Sequence, residues 1–206
     1  MTNNKLQSIV TPKGSALYAN VVTPSTKFNA DGVFDVTIII PAKESSDFQS
    51  KLDDYYDQAC EKAKKDNPDK KIKQIHTPYE IDEATGDLKV KFKNSAQYKS
   101  RADGSIIKRK IVLFDAKGKP IIDKSIRVGN GSSIKVSGYV VPYYTAAIGA
   151  GISLKLQAVQ ILDLVEGGSS AGTYGFDAEE GFSYEANDCE ETEAEVATTD
   201  DDEEDF

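Results

Sequence analysis

The chain has 206 residues, 39% of them apolar, and a formal charge of -9 from 25 bases and 34 acids. That length exceeds the usual domain of about 100–150 residues, so one domain with an appendage is expected. The opening MTNNKLQSIV has no basic stretch followed by a long apolar one, and no apolar run approaches the roughly 18–20 residues that span a bilayer, so neither a signal peptide nor a membrane span is expected.

From the N-terminal side, strands are predicted at Leu17–Thr23 and, after the Asp31-Gly32 turn, through Phe34, Val36, Ile38 and Ile40, which alternate with polar or smaller residues. One amphipathic helix is predicted over about Ser46–Lys65, with Phe48, Leu52, Tyr55, Ala59 and Ala63 recurring at three- and four-residue steps. Ser46 and Gln49 fit a capping box, Asp47 suits the first turn, and Pro68 stops the helix. Thr85-Gly86-Asp87 then reads as a hairpin turn between Ile75–Ile81 and a strand carrying Leu88, Val90 and Phe92 against Lys89, Lys91 and Lys93. Further strands are expected at Ile106–Phe114, Ser133–Val141 and Ile152–Val165, the last with a bulge near Ala158 where the apolar alternation shifts. Phe92 and Phe114 have the parity of core residues. About seven short strands with one helix suggest a small barrel or sandwich.

The pattern ends at Glu166. Three parts are therefore expected: a folded body over 1–166, a Gly/aromatic linker over 167–184 beginning Gly167-Gly168-Ser169-Ser170, and a disordered acidic tail over 185–206 with 12 acids and no base. No Lys or Arg follows Lys155, so the body carries +6 and the last 30 residues carry -15. Cys60 falls on the helix and Cys189 in the tail. A disulfide between such places is not expected, and the chain reads as intracellular and reduced.

Catalytic signals are weak. His76 is a single histidine in a predicted strand, more often a structural residue than a base. Gly149-Ala150-Gly151 is too short for a phosphate loop and precedes a strand. Asp53, Asp54 and Asp57 read as a solvated helix face rather than a cation site. No metal or other cofactor is implied, and the chain reads as a binding module, not an enzyme.

The binding signal is a basic stretch. Lys89 to Lys135 holds 13 bases against three acids, a net +10. The candidate site is Lys89, Lys91, Lys93, Tyr98, Lys99, Arg101, Lys108, Arg109, Lys110, Lys135, Tyr139, Tyr143 and Tyr144. Cations that track phosphates beside tyrosines that stack on unpaired bases suit single-stranded nucleic acid, because a duplex hides its base faces. The competing assignment is a structural or protein-interaction barrel, such as a virion component, whose lysines only solvate strand faces. An enzyme acting on nucleic acid is a third, disfavoured by the missing acid/base or metal cluster.

The tail has its own reading. A tethered polyanion can occupy a basic groove when DNA is absent. Asp200, Asp201, Asp202, Glu203, Glu204, Asp205 and Phe206 combine negative charge with a final ring, which suits an apolar pocket rimmed by bases on a partner.

These features resemble a family. Thr11-Pro12-Lys13-Gly14 through Pro24-Ser25-Thr26-Lys27-Phe28 to Ile38-Ile39-Ile40-Pro41, the helix directly after it, Gly149–Ile161, and the tail with Phe206 are similar to the bacteriophage single-stranded DNA-binding proteins of the gene 2.5 type. The resemblance implies an OB-fold-like five-stranded barrel with extra strands, one helix and a disordered acidic tail. It implies sequence-tolerant coating of single-stranded DNA in phage replication, recombination and repair, in the cytoplasm of a bacterial host. It also implies tail contacts with the replicative DNA polymerase and helicase-primase, and no cofactor. Some members dimerise through the tail, which leaves the homodimer open. The Gly175-Phe176 and Gly181-Phe182 repeats depart from the family pattern.

Overall fold

The computed structural model describes residues 6–69, 77–100, 102–123 and 125–166. His76, Arg101, Lys124, Cys189 and the linker and tail expected beyond Glu166 lie outside the described residues.

The body is mainly β, with strands β1 (Gln7–Val10), β2 (Gly14–Ser25), β3 (Val33–Ile40), β4 (Tyr79–Ile81), β5 (Leu88–Ser95), β6 (Gln97–Lys99), β7 (Ile106–Lys108), β8 (Val112–Phe114), β9 (Ser133–Thr145) and β10 (Gly149–Asp163), and one helix, α1 (Ala42–Asp66). The main sheet runs β4-β5-β3-β2-β9-β10-β8, with β1 also on β9, and β6 pairs with β7 separately. The OB-fold-like expectation holds, with one difference. The ladder does not close into a barrel: β5 and β10 face each other without pairing. Asn94 of β5 donates a side-chain hydrogen bond to the Leu156 carbonyl of β10 at 2.9 Å, and Gly138 of β9 lets the Phe92 ring approach. Side chains, rather than backbone pairing, hold this seam.

Alternation puts Phe34, Val36, Ile38 and Ile40 of β3 and Leu88, Val90 and Phe92 of β5 inside. They meet Ile134 and Val136 of β9 and Leu154 and Leu156 of β10 in one core. Each such large side chain contributes about 1.5–3 kcal/mol on burial. The bulge expected near Ala158 is present: pairing steps from Leu156 to Ala158, and the buried face resumes at Val159 and Ile161.

Helix α1 closes one end of the core with Phe48, Leu52 and Ala59. It starts four residues earlier than expected, and no capping box forms. Pro41 is the N-cap, and the Ala42 N–H is satisfied by the Asp87 carboxylate at 3.1 Å. The cap thus comes from the hairpin turn 45 positions away, out of reach of any local motif. Glu44, not Asp47, is the acid in the first turn. The Tyr79 hydroxyl donates to the Asp53 carboxylate and ties β4 to the helix.

The predicted hairpin turn is built around Asp82, whose carboxylate accepts from Ala84 N and Thr85 N, with Gly86 at φ 75°. The expected strand Ile106–Phe114 divides. Its first part, β7, pairs with β6 away from the main sheet, and β8 runs parallel to β10. The chain breaks at Arg109, whose N–H goes to Ala96 O at 2.7 Å. β7 is exposed throughout, and in β8 Leu113 is buried while Phe114 is only half-buried, a correction to the sequence expectation.

Candidate nucleic-acid interface

The outward residues of β5 are Lys89, Lys91 and Lys93, opposite Ile39, Thr37 and Asp35 of β3. Their surroundings differ. Lys89 Nζ lies 2.6 Å from Asp82 Oδ2. That hydrogen bond raises the lysine pKa and lowers that of Asp82. Lys91 reaches Asp35 at 3.1 Å, and that carboxylate also accepts from Asn20. Both pairs are surface pairs of small energetic weight, but they compensate the two lysines locally. Lys93 pairs with no carboxylate among the described residues.

Lys93 instead faces β10 across the unpaired seam. A cleft of about 580 Å³ lies there, lined by Lys91, Lys93, Val141, Tyr143, Ile148, Ser153 and Lys155, with an apolar floor that includes Leu154 and Ile152. Lys155 is the cation on its β10 wall. Its pKa is held below the ordinary lysine value by partial burial and then by the nearby charges of Lys93 and Arg109. Lys93 and Lys155 thus line one cleft, Arg109 is held beside it by Asn94, and among the described residues no carboxylate is paired with any of the three. Like charges gathered against partial burial disfavour one another, so an anion entering the cleft relieves an existing strain.

Arg109 is held in place from two sides. Its Nη1 donates to Asn94 Oδ1 at 3.0 Å and to Ser95 O at 3.4 Å, and its guanidinium lies 4.3 Å from the Tyr98 ring centroid. The same Asn94 spans the seam to Leu156 O. One asparagine thus joins the seam, the arginine and the base of the β6–β7 hairpin.

The aromatics divide as well. Tyr139 stands directly opposite Lys155 in the β9–β10 ladder, and its hydroxyl accepts from Gln157 Nε2 at 2.9 Å. Tyr143 lies against the backbone of Gly151, where a Cβ would come within 3.3 Å of its hydroxyl. This glycine leaves the ring a flat bed on the cleft wall. Tyr144 has the other parity: it packs beside Ala150, Cys60, Ala63 and Tyr56 under α1, so its role is in packing.

The remaining residues spread away from the cleft. Lys99 and Lys108 are exposed on the β6–β7 hairpin, and Lys110 follows it. Lys108 and Lys110 border a second depression, with Pro24, Asp31 and Asp123, and Arg109 between them lines it too. Lys135 shares the outward parity of Tyr139 but sits opposite Gln160, toward β8. The structure thus brings together Lys91, Lys93, Tyr98, Arg109, Tyr139 and Tyr143. It sets Lys89 in a compensated pair and Tyr144 in packing.

Sequence reasoning missed Lys155. The signal was present: it alternates with the inward Leu154 and Leu156 and is the last base in the chain. Among the described residues no group of three His, Cys, Asp or Glu could hold a metal ion.

The chain has relatives in sequence and in fold. The family model described as the single-stranded DNA-binding protein of bacteriophage T7 matches residues 14–164. The single-stranded DNA-binding protein of Enterobacteria phage T3 is 32% identical over 144 residues, 63% of this chain and 61% of that protein. Its counterpart from Escherichia phage T7 is 29% identical over 166 residues, 74% of this chain and 71% of that protein. The alignment thus spans less than two thirds of the T3 protein. The crystal structure of gp2.5, a single-stranded DNA-binding protein encoded by bacteriophage T7, superposes with a TM-score of 0.72 at 24% identity, covering 87% of this chain and 100% of that one. The single-stranded DNA-binding protein from bacteriophage Enc34 in complex with ssDNA superposes with a TM-score of 0.51 at 10% identity, covering 78% and 88%. These two structures share its fold.

Proposed function

The chain belongs to the bacteriophage T7 family of single-stranded DNA-binding proteins, and from that membership we propose that it binds single-stranded DNA without sequence preference and performs no covalent chemistry. The observation that carries the reading is the placement of Lys93 and Lys155 in one cleft with Arg109 held beside it by Asn94, none paired with a carboxylate among the described residues, next to Tyr139 and Tyr143. Cations there take phosphates, and the rings offer their faces to bases. Neither contact reads sequence, because every nucleotide has a phosphate and a π-face. The path lies along a seam between strands, where ring faces meet unpaired bases that a duplex would keep stacked inside.

Fluorescence anisotropy with oligo-dT and with a duplex of equal length tests this reading. Expected is micromolar or tighter binding to the single strand that weakens linearly in log–log with salt, and much weaker binding to duplex. Equal affinity for the two would overturn it.

The same proposal extends to the acidic segment 185–206 and the linker 167–184 joining it to the body. The segment competes with DNA for the cations, at an effective concentration of about millimolar. When DNA displaces it, it recruits the replicative polymerase and helicase-primase, in the cytoplasm of the infected host. Homodimerisation through the same segment fits this scheme. Deleting Glu185–Phe206 is expected to tighten oligo-dT binding, most at low salt where the competing charges are least screened. Unchanged or weaker binding would remove the competition.

A further inference from the structure

Phe28 is 91% exposed in the loop between β2 and β3, with Lys27 Nζ 5.3 Å from the centre of its ring. A solvated phenylalanine forgoes the burial that normally favours it, and this loop is not slack. Asn29 Oδ1 accepts from Asp31 N at 2.9 Å, Gly32 N donates to Asn29 O at 2.9 Å, and Gly32 takes φ 77°, a left-handed conformation that glycine adopts without strain. The loop is also tied to the hairpin: Ala96 N donates to Gly32 O at 2.9 Å and Gln97 Nε2 to Asp31 Oδ1 at 2.6 Å. Next to Gln97 is Tyr98, 42% exposed and capped by Arg109. Arg109 in turn donates to Asn94 at 3.0 Å, the residue that follows Lys93 of the cleft.

The order cleft, Arg109, Tyr98, Gln97, Asp31, Phe28 is therefore one continuous rim bearing two exposed rings, each beside a cation. We infer that Phe28 is a separate stacking station for an unpaired base of the same strand, beyond the cleft and reached across Tyr98. The inference rests on the single-strand reading above. Asp31 at the foot of the loop repels phosphate, so at this station the strand presents a base and not its backbone. The station takes any base, since a phenyl ring supplies a face and no hydrogen bond.

The test uses the full chain and a ladder of oligo-dT lengths from about 4 to about 16 nucleotides, the range of site sizes for such folds. Phe28→Ala should bind short oligomers as wild type does. It should lose about 5- to 150-fold on the longest ones, the value of one stacked base. Its salt slope should not change, because a ring releases no counterions. Phe28→Trp should retain the affinity, and the melting temperature should stay at the wild-type value because the side chain is already in water. Wild-type affinity of Phe28→Ala at every length would overturn the station while leaving the cleft intact. An equal loss at every length would overturn it as a separate station. A wild-type chain that bound no oligomer would overturn both the station and the single-strand reading.

Discussion

Exchanging Lys93 and Lys155 together for Met should weaken oligo-dT binding about 100-fold, since each charge-assisted contact to phosphate contributes about 1.5 kcal/mol or more. The salt slope should flatten by about 1.4, two phosphates at about 0.7 each on a single strand. Lys89→Met should do far less, because Asp82 already compensates that charge. The double exchange should not destabilise the body. The folded pKa of Lys155 is lowered, by partial burial first and then by Lys93 and Arg109. A base with a lowered folded pKa opposes folding in full below that value, and the opposition is relieved as pH rises through it toward the ordinary lysine value. At neutral pH the charged Lys155 is thus a cost to the body, and Met, matching its length without the charge, removes it. A melting temperature at or above wild type, with affinity lost, is the expected pair of results. A melting temperature well below wild type would show that the lysines hold the seam and would dissolve the assignment. Binding by the wild type should also begin to weaken with rising pH before exposed lysines titrate.

Much of this site follows from period-two alternation. Lys89, Lys91 and Lys93 had to share a face because Leu88, Val90 and Phe92 had to share the other, and Tyr139 follows from Ile134, Val136 and Val140 in the same way. Parity assigns a face and says nothing of neighbours. It could not tell that Lys89 meets Asp82, that Lys93 meets Lys155 across an unpaired seam, or that Tyr144 turns under α1, because these contacts join separate elements. The capping of α1 by Asp87 was hidden for the same reason. Local irregularity was the other blind spot. The Ile106–Phe114 segment reads as one strand, yet it breaks at Arg109, a residue held by Asn94 and Tyr98. The register slip between Leu17 and Asn20 leaves Tyr18 at φ 52° and 68% exposed, its N–H held by Asn130. Alternation foresaw only the bulge at Ala158, where the apolar residues themselves change parity.

Gly138→Ala should destabilise the body by about 3 kcal/mol, the upper end of the usual cost of overpacking. Local reasoning predicts the opposite sign. A glycine inside a strand costs about 0.5–1 kcal/mol relative to alanine, so the exchange ought to help. The packing decides against it. A Cβ at this position would stand 2.4 Å from the Lys155 carbonyl oxygen and 3.0 Å from the Phe92 ring. Neither can yield cheaply. Gly138 is paired with Ile9 on one side and Leu156 on the other, so moving β10 away disrupts a ladder. Phe92 is fully buried, so its ring has no solvent to retreat into. Urea denaturation should show a lower midpoint. Pairing the exchange with Phe92→Leu should recover part of the ring conflict and none of the carbonyl conflict. A midpoint at or above wild type for Gly138→Ala would mean that β9 and β10 are not this close. Any backbone shift that accommodates the methyl must pass through Lys155, because the obstructing carbonyl is its own. The surviving folded fraction should therefore bind oligo-dT more weakly, although position 138 faces the core and touches no DNA. The glycine thus couples stability to binding: the close approach that seats Phe92 in the core also sets where the β10 cation stands in the cleft.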